Sequence, residues 1–232
     1  MNKEVVLFIV EGESDRMSFE NVLNRLVTND KIKFIVISGD ITSTSLKYNI
    51  TKKIEKKVID FINLPKNKYL HISDIKKIVH IVDLDATFIN REQIVQNNNG
   101  IKQYTSENYL VPNVEEIIQR NSNKKQVLEK LINTNFITCN SIVIPYEIYY
   151  FSCNLEHVLH NNPNVDTIKE KIRLSDEFAE RYLGYEHLFL EFINDESFAA
   201  QGNYSDSWSE ATNPQNALCR KTNFNLFFKK DD

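Results

Sequence analysis

The sequence has little glycine, proline and cysteine, and it has no long hydrophobic run. With 5 Gly and 5 Pro among 232 residues, it has too few turn-forming residues for a disordered chain or a loop-rich sandwich. The 3 Cys contain no CxxC pair, which favours reduced thiols in a cytoplasmic protein. No apolar run approaches the ~20 residues of a membrane-spanning helix, and Met1–Glu4 lead into a predicted strand without a signal-peptide layout. We therefore expect a cytoplasmic protein with one sizeable core and no membrane association.

The chain is also short of positive charge overall, with a formal net charge of −4. Its lysines are nevertheless concentrated, because eight of them fall between Thr51 and His80, where only three acidic residues occur. This pattern is typical of a solvated helix face, and it is also typical of a surface that follows a phosphate backbone. On the second interpretation, nucleic acid would be contacted by the lysines of a predicted helix: Lys52, Lys53, Lys56 and Lys57.

Two stretches combine a buried strand with acidic residues at its end. The apolar run Val5–Val10 is followed by Glu11, and a second run, 78–82, is followed by Asp83 and Asp85. Such runs are typical of parallel strands that are buried on both faces. In an open α/β sheet the carboxyl ends of parallel strands meet at one edge, where ligands bind. We therefore expect these three carboxylates to converge.

Strands and helices alternate along the first part of the chain. The predicted elements are strands at 4–11, 33–38 and 78–83, a helix capped by Ser14, and a long helix over 45–64 that ends before Pro65. This alternation predicts an α/β fold with a parallel sheet flanked by helices.

The second part of the chain gives weaker signals. Asn113 with Glu116 forms a capping-box pattern that opens a helix through Ile132. Residues 141–144 are predicted as a fourth strand that is interrupted at Pro145, and the aromatic stretch after it as an edge strand or a short bridge. The remaining predictions are helices at 155–161, 166–183 and 186–194, a polar loop at 195–215, and an apolar segment at 216–228 that docks back on the body.

Three carboxylates at one sheet edge repel one another unless a cation lies between them. Oxygen ligands without nearby histidine or cysteine are the set that Mg²⁺ or Mn²⁺ prefers. Such an ion commonly acts on phosphates, because it neutralises phosphoryl oxygens and activates a water or hydroxyl. The alternative interpretation is that each acid is only a solvated cap. The sequence thus predicts a Mg²⁺ or Mn²⁺ site formed by Glu11, Asp83 and Asp85, whose D-x-D spacing puts the two aspartates on one side of the strand.

The pattern Val10-Glu11-Gly12-x-x-Asp15, followed after a strand by Asp83-x-Asp85, resembles the Toprim domain. Topoisomerases, bacterial primases, small RNA maturases, and nucleases of the OLD type and other phage-defence systems share this domain. The resemblance covers about residues 4–90 and implies a Toprim-like fold. It also implies metal ligation by Asp83 and Asp85, metal ligation or acid–base catalysis by Glu11, and a place for Asp15 in the metal site at the helix start.

The absence of other motifs narrows this resemblance. The sequence has no Walker A loop and no zinc-finger module, so it is neither a fused ATPase–nuclease nor a complete primase or topoisomerase. A compact chain of this kind resembles the effector nucleases of bacterial anti-phage defence, which work with a separate ATPase protein. The resemblance implies Mg²⁺-dependent cleavage of DNA or RNA, tRNA included, and it is compatible with a homo-oligomer. Residues 1–150 would form the Toprim-like catalytic domain, and 151–232 a mainly helical C-terminal extension packed on it.

Two other classes of function remain open. Many Toprim sequences place a glycine shortly after D-x-D, whereas Ala86, Thr87 and Phe88 follow here. The stretch Asp83-Leu84-Asp85-Ala86-Thr87 also resembles the DxDxT motif of HAD-type phosphatases. That resemblance implies Asp83 as nucleophile and Asp85 as acid, and it would leave Glu11 without a role. The third class is a non-catalytic module that uses the same pocket to bind nucleic acid or a partner.

Overall fold

The computed structural model describes residues 4–26, 32–43 and 49–229. Its strands are β1 (Glu4–Val10), β2 (Ile32–Ser38), β3 (Ile75–Asp83), β4 (Ile94–Gln96), β5 (Gln103–Tyr104), β6 (Tyr109–Val111), β7 (Phe136–Cys139) and β8 (Ile142–Phe151). Five of them form the central sheet in the order β2-β1-β3-β8-β7, in which only β7 is antiparallel to its neighbour. The other three form a small second sheet.

Helices cover both faces of the central sheet. They are α1 (Glu13–Leu26), α2 (Ile50–Ile62), α3 (Val114–Ile132), α4 (Leu155–His160), α5 (Ile168–Arg181), α6 (Glu186–Ile193) and α7 (Tyr204–Ala211). Apolar side chains of α2, α3 and α7 pack on one face, and those of α1, α4, α5 and α6 on the other. The predicted α/β fold, a mostly parallel sheet flanked by helices, is confirmed. No helix in the described ranges is long and apolar enough to cross a membrane.

Local capping explains where the first two helices begin. α1 begins two residues earlier than predicted, at Glu13 instead of after a Ser14 cap, since Gly12 precedes it and donates its N–H to Asp15 Oδ2 at 2.7 Å, as in half of a capping box. α2 is preceded by Asn49, whose side chain accepts the N–H of Lys52. Of the long helix predicted over 45–64, residues 45–48 lie outside the described residues, and the helix that is described ends at Ile62.

The predicted interruption at Pro145 is wrong, because β8 is continuous through it. Proline has no N–H to donate to a second neighbouring strand. At this position β8 pairs only with β7, where Pro145 is opposite Phe136, and pairing with β3 starts one residue later at Tyr146. The missing donor therefore costs no sheet hydrogen bond.

The predicted polar loop over 195–215 contains a helix instead, α7, whose Trp208 is buried. This part of the chain covers the open side of β8. The hydroxyl of Tyr204 accepts the N–H of Ile148 at 3.1 Å and donates to its carbonyl at 2.7 Å. Asn223 accepts the N–H of Tyr150 at 2.8 Å. Side chains thus satisfy backbone groups that an exposed edge strand would leave unpaired.

The C-terminal segment shares a core with the first strand and helix. Phe224 is fully buried, and its ring lies 5.5 Å from that of Phe19, 6.3 Å from that of Phe8 and 6.0 Å from that of Phe151. Aromatic rings at such separations add to the stabilisation that comes from burial alone. Residues before and after β8 therefore stabilise one another directly.

We predict that Phe224→Ala lowers the free energy of unfolding by about 3–5 kcal/mol, because it leaves a cavity in this shared core. Phe136→Ala is the matched control. Phe136 is 58% exposed, so removal of its ring should change the free energy of unfolding by only about 0.5 kcal/mol. Urea denaturation followed by circular dichroism measures both values. A loss below about 1 kcal/mol for Phe224→Ala, or two separate transitions in the wild type, would contradict the shared core.

Candidate carboxylate site

The three acids predicted to converge lie at the carboxyl edge of the central sheet. Glu11 directly follows β1, Asp83 is the last residue of β3, and Asp85 lies two residues beyond it. Since β1 and β3 are adjacent and parallel, their ends lie side by side, at the edge where open α/β sheets bind ligands. The topology brings these side chains to one place.

The turn after β3 has an unusual conformation that its neighbours hold in place. Asp85 and Ala86 have φ angles of 49° and 54°, in the left-handed region that costs a non-glycine residue about 1–2 kcal/mol. The N–H of Asp85 donates to the carbonyl of Cys153 at 2.7 Å. From α3, Arg120 donates to the carbonyl of Asp85 at 2.6 Å and Asn121 to that of Ala86 at 3.1 Å. This turn thus keeps a glycine-like conformation without glycine, and such strain is common at functional sites.

A buried lysine from α3 lies between Glu11 and Asp85. The Nζ of Lys124 is 2.5 Å from Asp85 Oδ2 and 3.5 Å from Glu11 Oε1, and its side chain is 2% exposed. Burial by itself would lower the pKa of this ammonium, but the two carboxylates outweigh burial and raise it. Lys124 therefore stays charged and neutralises part of the negative charge at the sheet edge.

Glu11 has further partners on the side toward β2. Its Oε1 accepts a hydrogen bond from the hydroxyl of Thr42 at 2.6 Å. Burial raises the pKa of Glu11 to about 7; Lys124 opposes this change, and the nearby charges of Asp85 and Asp40 add to it. Burial is thus the main cause of the raised pKa of Glu11, and Lys124 offsets it only in part.

Asp83 lies between Glu11 and a second group of acids. Burial raises its pKa well above the ordinary value, and the charges of Glu11, Asp15, Asp85 and Glu156 raise it further. Asp15 is itself buried, and its carboxylate accepts hydrogen bonds from the N–H of Gly12 and the hydroxyl of Ser14. Asp15 thus both caps α1 and adds negative charge beside Asp83.

Glu156 from α4 is part of the site, although the sequence analysis did not single it out. It is 2% exposed, and neither of its carboxylate oxygens has a hydrogen-bond partner among the described residues. Lys171 from α5 forms an ion pair with it, with its Nζ 3.1 Å from Glu156 Oε1 but outside hydrogen-bond geometry. Burial raises the pKa of Glu156, and Lys171 opposes that change. The C-terminal helices thus contribute both an acid and a counter-charge.

Lys124 and Glu156, which the sequence analysis does not single out, each leave a signal in the sequence. Lys124 falls on the buried stripe of α3, whose other members are Ile117, Asn121, Val127, Leu128 and Leu131; a lysine on such a stripe requires a buried partner. Glu156 follows the carboxyl end of β8, a fourth parallel strand that ends at the same edge as β1 and β3. Because the aromatic stretch 146–151 is predicted as an edge strand or a short bridge, the sequence analysis does not place its end at the site.

The four predicted nucleic-acid lysines all lie on α2, some distance along the sheet from the carboxylates. Lys53, Lys56 and Lys57 line a groove beside β2, whereas Lys52 points elsewhere and pairs with Glu55 at 2.5 Å. The structure therefore separates Lys52 from the other three.

The acids do not form a ready metal site in the arrangement described. Among residues 4–26, 32–43 and 49–229, no three carboxylate, histidine or cysteine side chains are placed so that they could hold one ion. The ammonium of Lys124 instead provides the cation between Glu11 and Asp85. The donor chemistry still suits a hard divalent ion, since it consists of carboxylates. Burial raises the pKa values of Glu11 and Asp83, and the neighbouring acids add to this effect.

We predict that Glu11 makes the metal-free protein less stable as the pH rises. A folded-state pKa of about 7 exceeds the ordinary 4.5, so the folded state binds more protons between these values. Its stability is then fully present below pH 4.5 and declines toward pH 7, by up to about 3 kcal/mol. Urea denaturation in the presence of a chelator should show this decline in the wild type, and Glu11→Gln should remove that component. Parallel pH profiles for the two proteins would contradict the prediction.

Comparison of the chain with protein-family models, curated proteins and solved structures gives no match. The resemblance to the Toprim domain accordingly stays a prediction, supported by motif and geometry alone.

Proposed function

We propose that this chain is a metal-dependent, Toprim-like nuclease that hydrolyses phosphodiester bonds of DNA or RNA. One observation carries the proposal: Glu11, Asp83 and Asp85, from the ends of two adjacent parallel strands, meet at the sheet edge around a shared buried cation. A solvated cap would not need a lysine that is 2% exposed. Burial and neighbouring acids raise the pKa values of Glu11 and Asp83, and carboxylates perturbed in this way are concentrated at functional sites.

The residues that would hold a divalent ion are Glu11, Asp83 and Asp85, with Asp15 and Glu156 adjoining Asp83. Mg²⁺ or Mn²⁺ bound there supplies charge neutralisation at a phosphate and a more acidic water. An ion at the position of the Lys124 ammonium, between Glu11 and Asp85, would require that ammonium to move, because two cations cannot occupy the same place. The carboxylates therefore fit a divalent ion in their ligand chemistry, and binding of an ion between Glu11 and Asp85 depends on movement of Lys124.

The chain's own residues have separate tasks in this proposal. Thr42 orients the carboxylate of Glu11 through its hydrogen bond. Arg120 and Asn121 fix the turn that carries Asp85, because they bind the carbonyls of Asp85 and Ala86. Lys124 keeps the acids together until a metal ion brings other positive charge.

The cellular setting is part of the proposal. Reduced cysteines fit the cytoplasm, since none of the cysteines is in a disulfide. The net charge of −4 limits the affinity of the isolated chain for nucleic acid. A toxic effector of anti-phage defence that acts with a separate ATPase protein would have these properties, because the partner could supply both control and additional binding surface.

We predict that Lys124→Met destabilises the metal-free protein by about 1–3 kcal/mol, because it leaves the partly buried carboxylates of Glu11 and Asp85 without their counter-charge. Mg²⁺ should restore much of this loss and should raise the melting temperature of the variant more than that of the wild type. Lys125→Met is the control, since the neighbouring side chain is exposed. Equal Mg²⁺ effects in all three proteins would contradict competition between Lys124 and a metal.

The direct test is cleavage of radiolabelled DNA and RNA by the purified protein in Mg²⁺, with and without a chelator. Glu11→Gln, Asp83→Asn and Asp85→Asn should each lower the rate at least about 100-fold, since even outer-shell partners of a metal contribute about 10- to 100-fold. Glu115→Gln should keep its activity, because Glu115 is exposed and pairs with Arg91 rather than with the cluster.

Other outcomes identify the alternative classes. Cleavage that persists in Glu11→Gln would refute the Toprim assignment. Phosphatase activity with a covalent phosphate on Asp83, together with indifference to Glu11→Gln, would identify a HAD-like enzyme. If none of the three acids affects the protein's action in cells, the chain is a non-catalytic binding module.

A further inference from the structure

A groove of about 760 Å³ lies along β2, between α1 and α2. We call this feature the β2 groove. β2 is the last strand of the central sheet on this side in the described part of the chain, so the floor of the groove is the sheet edge itself. The carboxylate chemistry described above does not use this groove, although Asp40, at its end, lies near Glu11.

The β2 groove is rich in lysine within an acidic protein. Lysines reach it from three places: Lys33 on β2, Lys53, Lys56 and Lys57 on α2, and Lys66 in the turn after α2. The chain as a whole carries a net charge of −4, so this concentration is a local reversal of charge. A groove with an excess of one sign of charge attracts a ligand of the opposite sign and raises its local concentration.

Acidic residues line the groove as well, but cationic residues outnumber them by six to four: Arg16, Lys33, Lys53, Lys56, Lys57 and Lys66 against Glu13, Glu20, Asp40 and Asp60. On α1, Arg16 bonds both Glu13, at 2.8 Å, and Glu20, so its single charge offsets one of these two acids. The lysines therefore leave a modest excess of positive charge in the groove.

The groove leads to the carboxylate site. At the carboxyl end of β2 it is bounded by Ser38 and Asp40, and the Asp40 carboxylate accepts a weak hydrogen bond, 3.4 Å long, from Thr42. The same hydroxyl lies 2.6 Å from Glu11 Oε1. A polymer that lies in the groove would therefore reach Glu11 after passing Asp40.

Lys57 occupies the part of the groove closest to that end. A β-carbon added to Gly39 would lie 1.8 Å from the Lys57 Nζ, so the absence of a side chain at Gly39 leaves the space into which the ammonium fits. Gly39 has no positive φ that would require glycine for backbone reasons. The position of the Lys57 charge thus depends on Gly39.

We propose that the β2 groove binds the sugar–phosphate backbone of single-stranded nucleic acid and leads it to Glu11; this inference rests on the proposed nuclease function. The volume falls within the range of about 300–1,000 Å³ that holds a small ligand, which accommodates a few nucleotides of one strand. Phosphate binding by lysines in a narrow groove is the usual way in which proteins hold a single strand.

The test measures fluorescence anisotropy with labelled single strands of about 12 nucleotides, as DNA and as RNA, in Ca²⁺ under conditions in which a gel shows them intact. The double variant Lys56→Gln/Lys57→Gln should bind about tenfold more weakly, and its dependence of log Kd on log salt should fall by about 1.4. Gly39→Ala should weaken binding in the same direction without removing a charge, because it displaces Lys57. Lys52→Gln, on the same helix but outside the groove, should change Kd less than about twofold.

The possible outcomes distinguish a failure of the groove proposal from a failure of the proposed nuclease function. If the double variant and Gly39→Ala bind as the wild type does while cleavage in Mg²⁺ continues, the groove is not the strand path, and a polypeptide strand at the β2 edge becomes its better occupant. If Lys52→Gln costs as much as the groove variants, binding reflects overall charge and the proposal is overturned. Absence of binding by the wild type overturns it as well. Cleavage that survives Glu11→Gln refutes the proposed function whatever the groove does.

Discussion

Repulsion among buried carboxylates is the constraint on which the rest of this structure depends. The ends of β1 and β3, together with the starts of α1 and α4, bring Glu11, Asp15, Asp83, Asp85 and Glu156 to one side of the sheet. The folded state tolerates them because Lys124 and Lys171 enter the cluster from two other helices. Isolated charges in such a place would cost several kcal/mol each. Burial nevertheless raises the pKa values of Glu11 and Asp83, and the neighbouring acids add to this effect.

This constraint gives the C-terminal helices a role beyond packing. α4 and α5 supply Glu156 and Lys171, and the segment that follows them satisfies the open edge of β8 and enters the aromatic core beside Phe8 and Phe19. A cluster of like charges requires a rigid surrounding, because any loosening would let the acids separate. The extension and the sheet are thus mutually dependent in both packing and charge.

The sequence predicted the parts of the fold that follow from local patterns. The runs at β1 and β3 are apolar on both faces, and Asn113 bonds the Glu116 N–H as a cap, so these strands and α3 could be predicted. The continuity of β8 could not, because the effect of Pro145 depends on which strand lies beside it. For the site, the convergence of Glu11, Asp83 and Asp85 follows from parallel topology. Lys124 required knowledge of what α3 packs against, and the pairing of Lys52 with Glu55 depends on rotamers that no sequence pattern specifies.

The account's central claim is that this charged cluster is a divalent-metal site whose position Lys124 fills until the metal arrives. The most direct test is X-ray diffraction from crystals grown in Mn²⁺, with anomalous scattering measured at the manganese edge. The account predicts an anomalous peak bounded by Glu11, Asp83 and Asp85, with Lys124 withdrawn from at least one of its two carboxylates. Crystals without such a peak, in which Lys124 still lies between Glu11 and Asp85, would contradict it.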